Sequence, residues 1–267
     1  MNKPLAFLKR DLLIEASYRF SFLIQIVSVL FSIASYYFLA RFIGGWAVPG
    51  LDVYGGDYFT FVLVGVALHD YLATSLDAFS RSIRESQLAG TLEALMSTQT
   101  SVPTIILLSA AYPFLWTSLT VVLYLALGVG LFGVRLSSGN WAAAALILML
   151  GVVVFSALGI LSASFIMVFK RGSPIAWLLG GLSWLLGGVL YPVTILPDWL
   201  RRISALMPIT YAIEGMRAAL LRAAPWSEVW PSVIPLLLFA FALLPLSLLS
   251  FQYATRYSRI AGTLHQY

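Results

Sequence analysis

The sequence predicts an all-α integral membrane protein with six transmembrane helices, on three grounds. Of its 267 residues, 60% are hydrophobic and 10% charged, whereas an ordinary soluble domain carries about 25% charged residues. Its mean hydropathy of +0.91 is more than one soluble core of this length can hide. Apolar runs of the roughly 20 residues that cross a bilayer as a helix recur along the chain. There is no cysteine, so disulfides, thiolate metal sites and cysteine nucleophiles are excluded. The net charge of +5 comes from Arg and Lys at loop ends, not from a patch suited to nucleic acid.

The chain is expected to form a single transmembrane domain over 1–267. Its first stretch, 1–19, contains "KPLAFLKRDLLIEASYR". Leu5, Leu8 and Leu12 fall on one helical face, with Lys9, Arg10 and Asp11 away from it. That pattern fits either a helix lying on the membrane surface or a plain charged flank. The apolar run that follows is too long for a cleaved signal peptide, and no small-residue cleavage pattern succeeds it. The six spans are expected at 20–43, 57–79, 103–132, 141–169, 174–191 and 232–253. Pro103 and Pro174 suit first-turn positions, where the missing N–H costs nothing. Lys and Arg in the links set orientation. Ten of the 16 fall on the side that holds both termini, and four of the other six sit in one long segment. Both termini are therefore expected in the cytoplasm.

The link between the second and third spans, 81–100, reads "RSIRESQLAGTLEALMSTQT". Leu88, Leu92 and Leu95 share a helical face that Glu85 and Glu93 leave. Arg81 and Glu85 are spaced as an i,i+4 pair. Gly90 breaks the helix or admits a close neighbour, since glycine costs a helix interior about 1 kcal/mol. Such a helix either docks into a cytoplasmic protein or is a solvated loop helix. Its acidic residues argue against docking on an anionic membrane surface.

In the second span, Asp70 and Asp77 share a face and Asp77 reaches Arg81 at i+4. The group can be a proton or cation path or the wet cytoplasmic end of the helix, with the second preferred for Asp77 and Asp70 left open. His69 completes no metal-ligand set. In the fifth span, Gly180, Ser183 and Gly187 allow close helix contact. Trp177, Trp184 and Tyr191 repeat every seven residues. They either line a pathway for an apolar or sugar-bearing substrate or pack on another helix. Between 192 and 231, Pro197 and Pro208 can each begin a short helix. Ile209, Ile213, Met216 and Leu220 lie on one face, and Glu214 and Arg217 sit three apart. Two helices dipping into the outer leaflet are expected, because irregular backbone at that depth needs protein or a wet cavity around it. Glu214 is then either a gate residue or half of a surface ion pair with Arg217.

The "GTLEAL" of the cytoplasmic link and the later "LYPVTILPDWLRRISALMPITYAIEGMR", set among six spans, resemble the permease subunits of bacterial type-2 ABC exporters, which move drugs, lipids or glycans out of the cell. The resemblance covers nearly the whole chain. It implies that 81–100 is the coupling helix, so that Glu85, Gly90, Thr91, Leu92, Glu93 and Leu95 would dock on an ATPase subunit. Gln99 departs from the family pattern, where a proline is usual. The resemblance also implies re-entrant outer helices between spans five and six that close the exit, with Pro208, Glu214 and Arg217 at the outer gate. Two copies of the chain, most simply a homodimer, would work with two ABC ATPase subunits in the bacterial inner membrane.

The chain itself is not expected to be an enzyme. A phosphate-binding loop needs Gly-Lys in a glycine-rich turn, and the three lysines, Lys3, Lys9 and Lys170, never follow glycine. ATP and magnesium would be bound by the partner subunit, and no cofactor is expected in this chain. The alternative is a proton-coupled carrier using Asp70 and His69. Such carriers often show internal repeats, and none is seen here. A membrane enzyme would need convergent catalytic groups, whereas the charges here are scattered.

Overall fold

The structure is a computed structural model that describes residues 12–13, 19–43, 50–55, 57–88, 102–134, 139–169 and 174–260. Among these there is no strand. The helices, in chain order, are α1 (Arg19–Ile43), α2 (Tyr58–Leu88), α3 (Val102–Ser109), α4 (Ala111–Phe132), α5 (Trp141–Phe169), α6 (Pro174–Leu186), α7 (Asp198–Ser204), α8 (Pro208–Leu221) and α9 (Trp226–Ile260). Single 3-10 turns lie at Asp52–Tyr54 and Val193–Ile195. Five stretches are long and apolar enough to cross a bilayer: Leu23–Ile43, Tyr58–Arg84, Leu107–Phe132, Trp141–Phe169 and Trp226–Ser258.

Four departures from the sequence expectation have physical causes or consequences. The expected fifth span, 174–191, is helical only over the 13 residues of α6. That is about 20 Å at the helical rise, well short of a hydrocarbon layer of about 30 Å. The helix stops at a Gly-Gly pair, and Gly188 takes φ +75°, a conformation that ends a helix and that L side chains disfavour. The expected third span divides into α3 and α4 at Ala110. Pro113 explains this, because it has no N–H for the Ser109 carbonyl and its ring would strike it. The second span does not end near 79 but continues as one 31-residue helix to Leu88. The sixth also overruns its expected ends and carries Pro231, Pro235 and Pro245 inside it. The short helices α7 and α8 begin directly after Pro197 and at Pro208, where prolines suit first turns. The proposed surface helix at 1–19 lies almost wholly outside the described residues.

The core is built around α2, which packs against α1, α4, α5, α6 and α8, while α9 covers α5 and α8. Phe61, Leu63, Leu72 and Phe79 of α2 are fully buried. In contrast, Phe31, Leu131, Met149 and Phe241 stand exposed on the outside of the bundle. Lipid tails are as apolar as leucine, so burial alone does not hold membrane helices together; close packing and interhelical hydrogen bonds do. Ser75 donates to the Phe155 carbonyl at 2.5 Å, and Ser80 pairs with Ser162 at 3.0 Å. These tie α2 to α5. Tyr71 donates to Ser118 at 2.9 Å and Thr74 pairs with Thr117 at 2.6 Å, tying α2 to α4.

Asn140 fastens the start of α5 to the end of α8. Its side-chain oxygen accepts from the Ala143 N–H at 3.1 Å, which caps α5. Its amide donates to the Ala224 carbonyl at 3.2 Å, and its backbone N–H to the Ala219 carbonyl at 2.9 Å. Asn140→Ala is expected to destabilise the chain by about 0.5–2 kcal/mol, the usual cost of losing such a cap. Asn140→Asp, which keeps the capping oxygen but not the donor to Ala224, should lose less. Thermal unfolding of the two variants in detergent checks the order.

Candidate functional site

The densest polar cluster among the described residues lies where α2, α6 and α8 meet, and Arg217 is its centre. The apolar pattern of α8 places almost all of its side chains in the core, and Arg217 goes in with them at 0% exposure. Its guanidinium donates to backbone carbonyls alone. Nε and Nη2 reach the Phe61 carbonyl at 3.2 and 3.0 Å. Nη1 reaches the Gly188 carbonyl at 2.7 Å, and Nη2 the Val189 carbonyl at 2.9 Å. The Phe61 ring lies under the guanidinium, 3.3 Å from Cζ to the ring centroid, a cation–π arrangement suited to a planar cation. An ammonium could not match this fork of donors.

This arrangement answers the need created by the early stop of α6. The last carbonyls of a helix have no intrahelical donors, and hydrocarbon offers none. Here residues that follow α6 supply donors to several of them. The Ser183 carbonyl takes the Gly187 N–H at 2.9 Å, and the Leu185 carbonyl takes the Tyr191 hydroxyl. Ser204, at the end of α7, donates to the Leu186 carbonyl at 2.7 Å. Arg217 takes those of Gly188 and Val189. Two glycines make the approach possible. Gly188 provides the left-handed turn. Gly65 lies one helical turn after Phe61, on the same face, and a Cβ there would strike the Val189 carbonyl and sit 2.7 Å from Nη2 of Arg217.

Glu214, one turn before Arg217 on α8, is placed differently. One carboxylate oxygen accepts the Tyr54 hydroxyl. The other, Oε1, is buried without a hydrogen-bond partner and lies 3.7 Å from Nη1 of Arg217. Burial, reinforced by the neighbouring carboxylate, pushes the Tyr54 phenol above its ordinary range, so it remains a donor. Because Arg217 is fully buried, the reading of Glu214 and Arg217 as a surface ion pair is excluded. Pro208 occupies the first turn of α8 and starts the helix that delivers both side chains.

The other sequence-chosen residues are not gathered at this cluster. Trp177 is 81% exposed. Trp184 rests on His69, ring centroids 4.3 Å apart. Tyr191 lies beyond the end of α6, its hydroxyl turned back to Leu185. The three do not form one continuous aromatic line on a helix. His69 is buried, and no ring nitrogen makes a hydrogen bond of ordinary geometry, although the Gly180 carbonyl is near. Asp70 faces elsewhere and pairs with the Tyr124 hydroxyl, which also meets Ser32. Asp77 and Arg81 form an exposed ion pair. Among the described residues no group of His, Asp or Glu could hold a metal ion. Glu85 falls in the last turns of α2, whereas Gly90, Thr91, Leu92, Glu93 and Leu95 lie outside the described residues.

Tyr54, Phe61, Gly65 and Gly188 were not singled out from sequence. The first two carry no pattern that marks them. Gly65, lone in a long apolar helix, is a recognised sign of close backbone approach. Gly65→Ala is expected to overpack the junction and to destabilise the chain by about 1–3 kcal/mol, read as a lower unfolding temperature in detergent. Gly180→Ala, where an added methyl meets nothing within 4 Å, is the matched control and should unfold at or somewhat above the parent's temperature, since alanine favours a helix interior over glycine.

The model of the ABC-2 type transporter family matches residues 79–221. That interval runs from the last turns of α2 to the end of α8 and includes Glu214 and Arg217. Among curated proteins, the chain is similar to the inner membrane transport permease YadH of Escherichia coli strain K12, and to its counterparts in Escherichia coli O157:H7 and Shigella flexneri. Each is 27% identical over 166 residues, covering 62% of this chain and 64% of the relative. The chain thus aligns with just under two thirds of the length of these relatives. The family match extends over more than half of the sequence, and the chain belongs to the ABC-2 type transporter family.

Proposed function

We propose that this chain is the membrane subunit of an ATP-driven exporter that moves an amphipathic or hydrophobic substrate, such as a drug, a lipid or a glycan, out of the cytoplasm or the inner leaflet. The observation that carries this reading is the family match over 79–221, which includes both the cytoplasmic link and the outer helices. Two features support it further. The helix α2 runs unbroken from the Arg217 cluster to Leu88, directly before the link at 89–101. The Arg217 cluster lies near the opposite end of α2, the position this reading gives to an outer gate.

In this proposal the chain works as a homodimer in a bacterial inner membrane, with both termini in the cytoplasm. Two ABC ATPase subunits bind ATP and magnesium, and the segment containing Glu85, Gly90, Thr91, Leu92, Glu93 and Leu95 docks on them. Glu214, Arg217 and Pro208 form the outer gate. The short α6, together with the outer helices, makes a sixth, broken crossing. Trp177, Trp184 and Tyr191 are assigned to the substrate pathway. A proton-coupled carrier using Asp70 and His69 is the weaker reading, because the two side chains face different neighbours, Tyr124 and Trp184.

Two experiments test the proposal. Pull-down of the tagged chain from bacterial membranes is expected to recover a cytoplasmic ATPase whose turnover the chain stimulates. Leu92→Asp should still insert, because the spans are untouched, but should lose ATPase binding or stimulation. A charge buried in an apolar groove without a partner is strongly unfavourable. Assembly and stimulation at the parent level would sink the docking role. Single cysteines at Asn2 and His265 should label only from the cytoplasm, and one at Ser138 only from outside. Cytoplasmic labelling at Ser138 would overturn the six-crossing topology.

A further inference from the structure

We propose that Arg217 is a two-position latch, held by the carbonyls of Phe61, Gly188 and Val189 in the closed state described above and taken over by Glu214 when α8 parts from α2. The proposal rests on the exporter reading, in which the outer side opens and closes. It begins from the spare oxygen of Glu214. A buried carboxylate oxygen with no donor is rare in folded proteins. This one sits 3.7 Å from Nη1 of Arg217, which meanwhile donates to the Gly188 carbonyl at 2.7 Å. The guanidinium is thus one short step from a second acceptor that is empty of donors.

The placement of the groups on the helices makes that acceptor useful. Glu214 and Arg217 are both on α8 and travel together if α8 moves. The carbonyls that hold Arg217 belong to α2 and to the segment after α6. Parting α8 from them removes every present acceptor at once. A buried guanidinium left without acceptors is very unfavourable, so an unassisted opening would face a high barrier. Glu214 remains in reach throughout. Tyr54 belongs to the turn just before α2, so the same motion withdraws its hydroxyl from the other oxygen of Glu214. Both carboxylate oxygens are then free for a two-toothed pair with Arg217, the strong geometry for this couple. The carbonyl-bound and carboxylate-bound positions are therefore alternatives, each satisfied and each tied to one arrangement of the helices.

Neighbouring residues on one helix should then act in opposite directions, which loss of packing alone does not produce. The chain has no native cysteine, so Val189→Cys, buried in the closed state, reports opening by its rate of reaction with a water-soluble maleimide in nanodiscs. Without ATPase, Arg217→Lys and Tyr54→Phe in this background should each raise the resting rate. The rise should be about tenfold for Arg217→Lys, from the loss of one or more charge-assisted bonds. Glu214→Gln should leave the resting rate at or below the parent's. With the ATPase recovered by pull-down and ATP added, the parent's rate should rise, and Glu214→Gln should suppress that rise. A resting rate raised in Glu214→Gln as in Arg217→Lys would overturn the latch, as would parent-like resting rates in both Arg217→Lys and Tyr54→Phe. If no ATPase is recovered, or ATP leaves the parent's rate unchanged, the exporter reading fails, and the latch is still judged by the three resting rates.

Discussion

A helix that stops short inside the fold leaves carbonyl oxygens without intrahelical donors, and the part of this molecule formed by α6, α7 and α8 is arranged around that demand. Helix α6 ends at Leu186, and its exposed acceptors continue through Val189. Each of the carbonyls at Ser183, Leu185, Leu186, Gly188 and Val189 has a named donor. Three of those five are met from α7 and α8. The outer helices are thus not an ornament on a finished bundle. Without Ser204 and Arg217 the broken end would have to be rewound, hydrated or abandoned. The same bonds settle a buried cation that would otherwise be intolerable. The two problems, acceptors without donors and a charge without acceptors, resolve each other.

The rest of the fold gives this junction a firm base. Helix α2 carries Phe61 and Gly65 on the face that meets the broken end, and it is fastened lower down by Ser75 and Ser80 to α5 and by Tyr71 and Thr74 to α4. These are small, directional contacts, the kind that matter where the solvent is as apolar as the core. Helices α1 and α9, in contrast, turn broad apolar faces outward, as lipid-facing elements do. The three prolines of α9 remove three backbone donors from its ladder, and none of them lies in α2, the helix that connects the two ends of the molecule.

Much of this was legible in the sequence, for identifiable reasons. Runs of apolar residues gave the spans, because length and hydropathy are sums over many positions and tolerate local error. Pro197 and Pro208 marked the outer helices, because a fixed φ and a missing donor act within one turn. The failures were also local. Pro113 was absorbed into a long apolar run although its ring breaks the helix at Ala110. Gly187 was counted as a small contact residue when its effect, together with Gly188, was to end α6. Arg217 was noticed, but whether it and Glu214 form a surface pair turned on burial, which spacing does not report. Its acceptors were beyond reach altogether. They are main-chain oxygens, identical at every position, and only the folded path of the chain selects three of them.

That anonymity has an evolutionary consequence. A side chain that recognises another side chain constrains two letters of the sequence, and a change in one can be repaired by a change in the other. Arg217 recognises the shape of a backbone. The residue at 189 is therefore free to drift in identity wherever its carbonyl keeps the same direction, while the restriction falls on Phe61, whose ring lies under the guanidinium, and on Gly65 and Gly188, the positions that let the main chain come close. In a set of diverging relatives such an arginine would stand fixed together with glycines far away in the sequence, its hydrogen-bond acceptors being carbonyls that every residue carries.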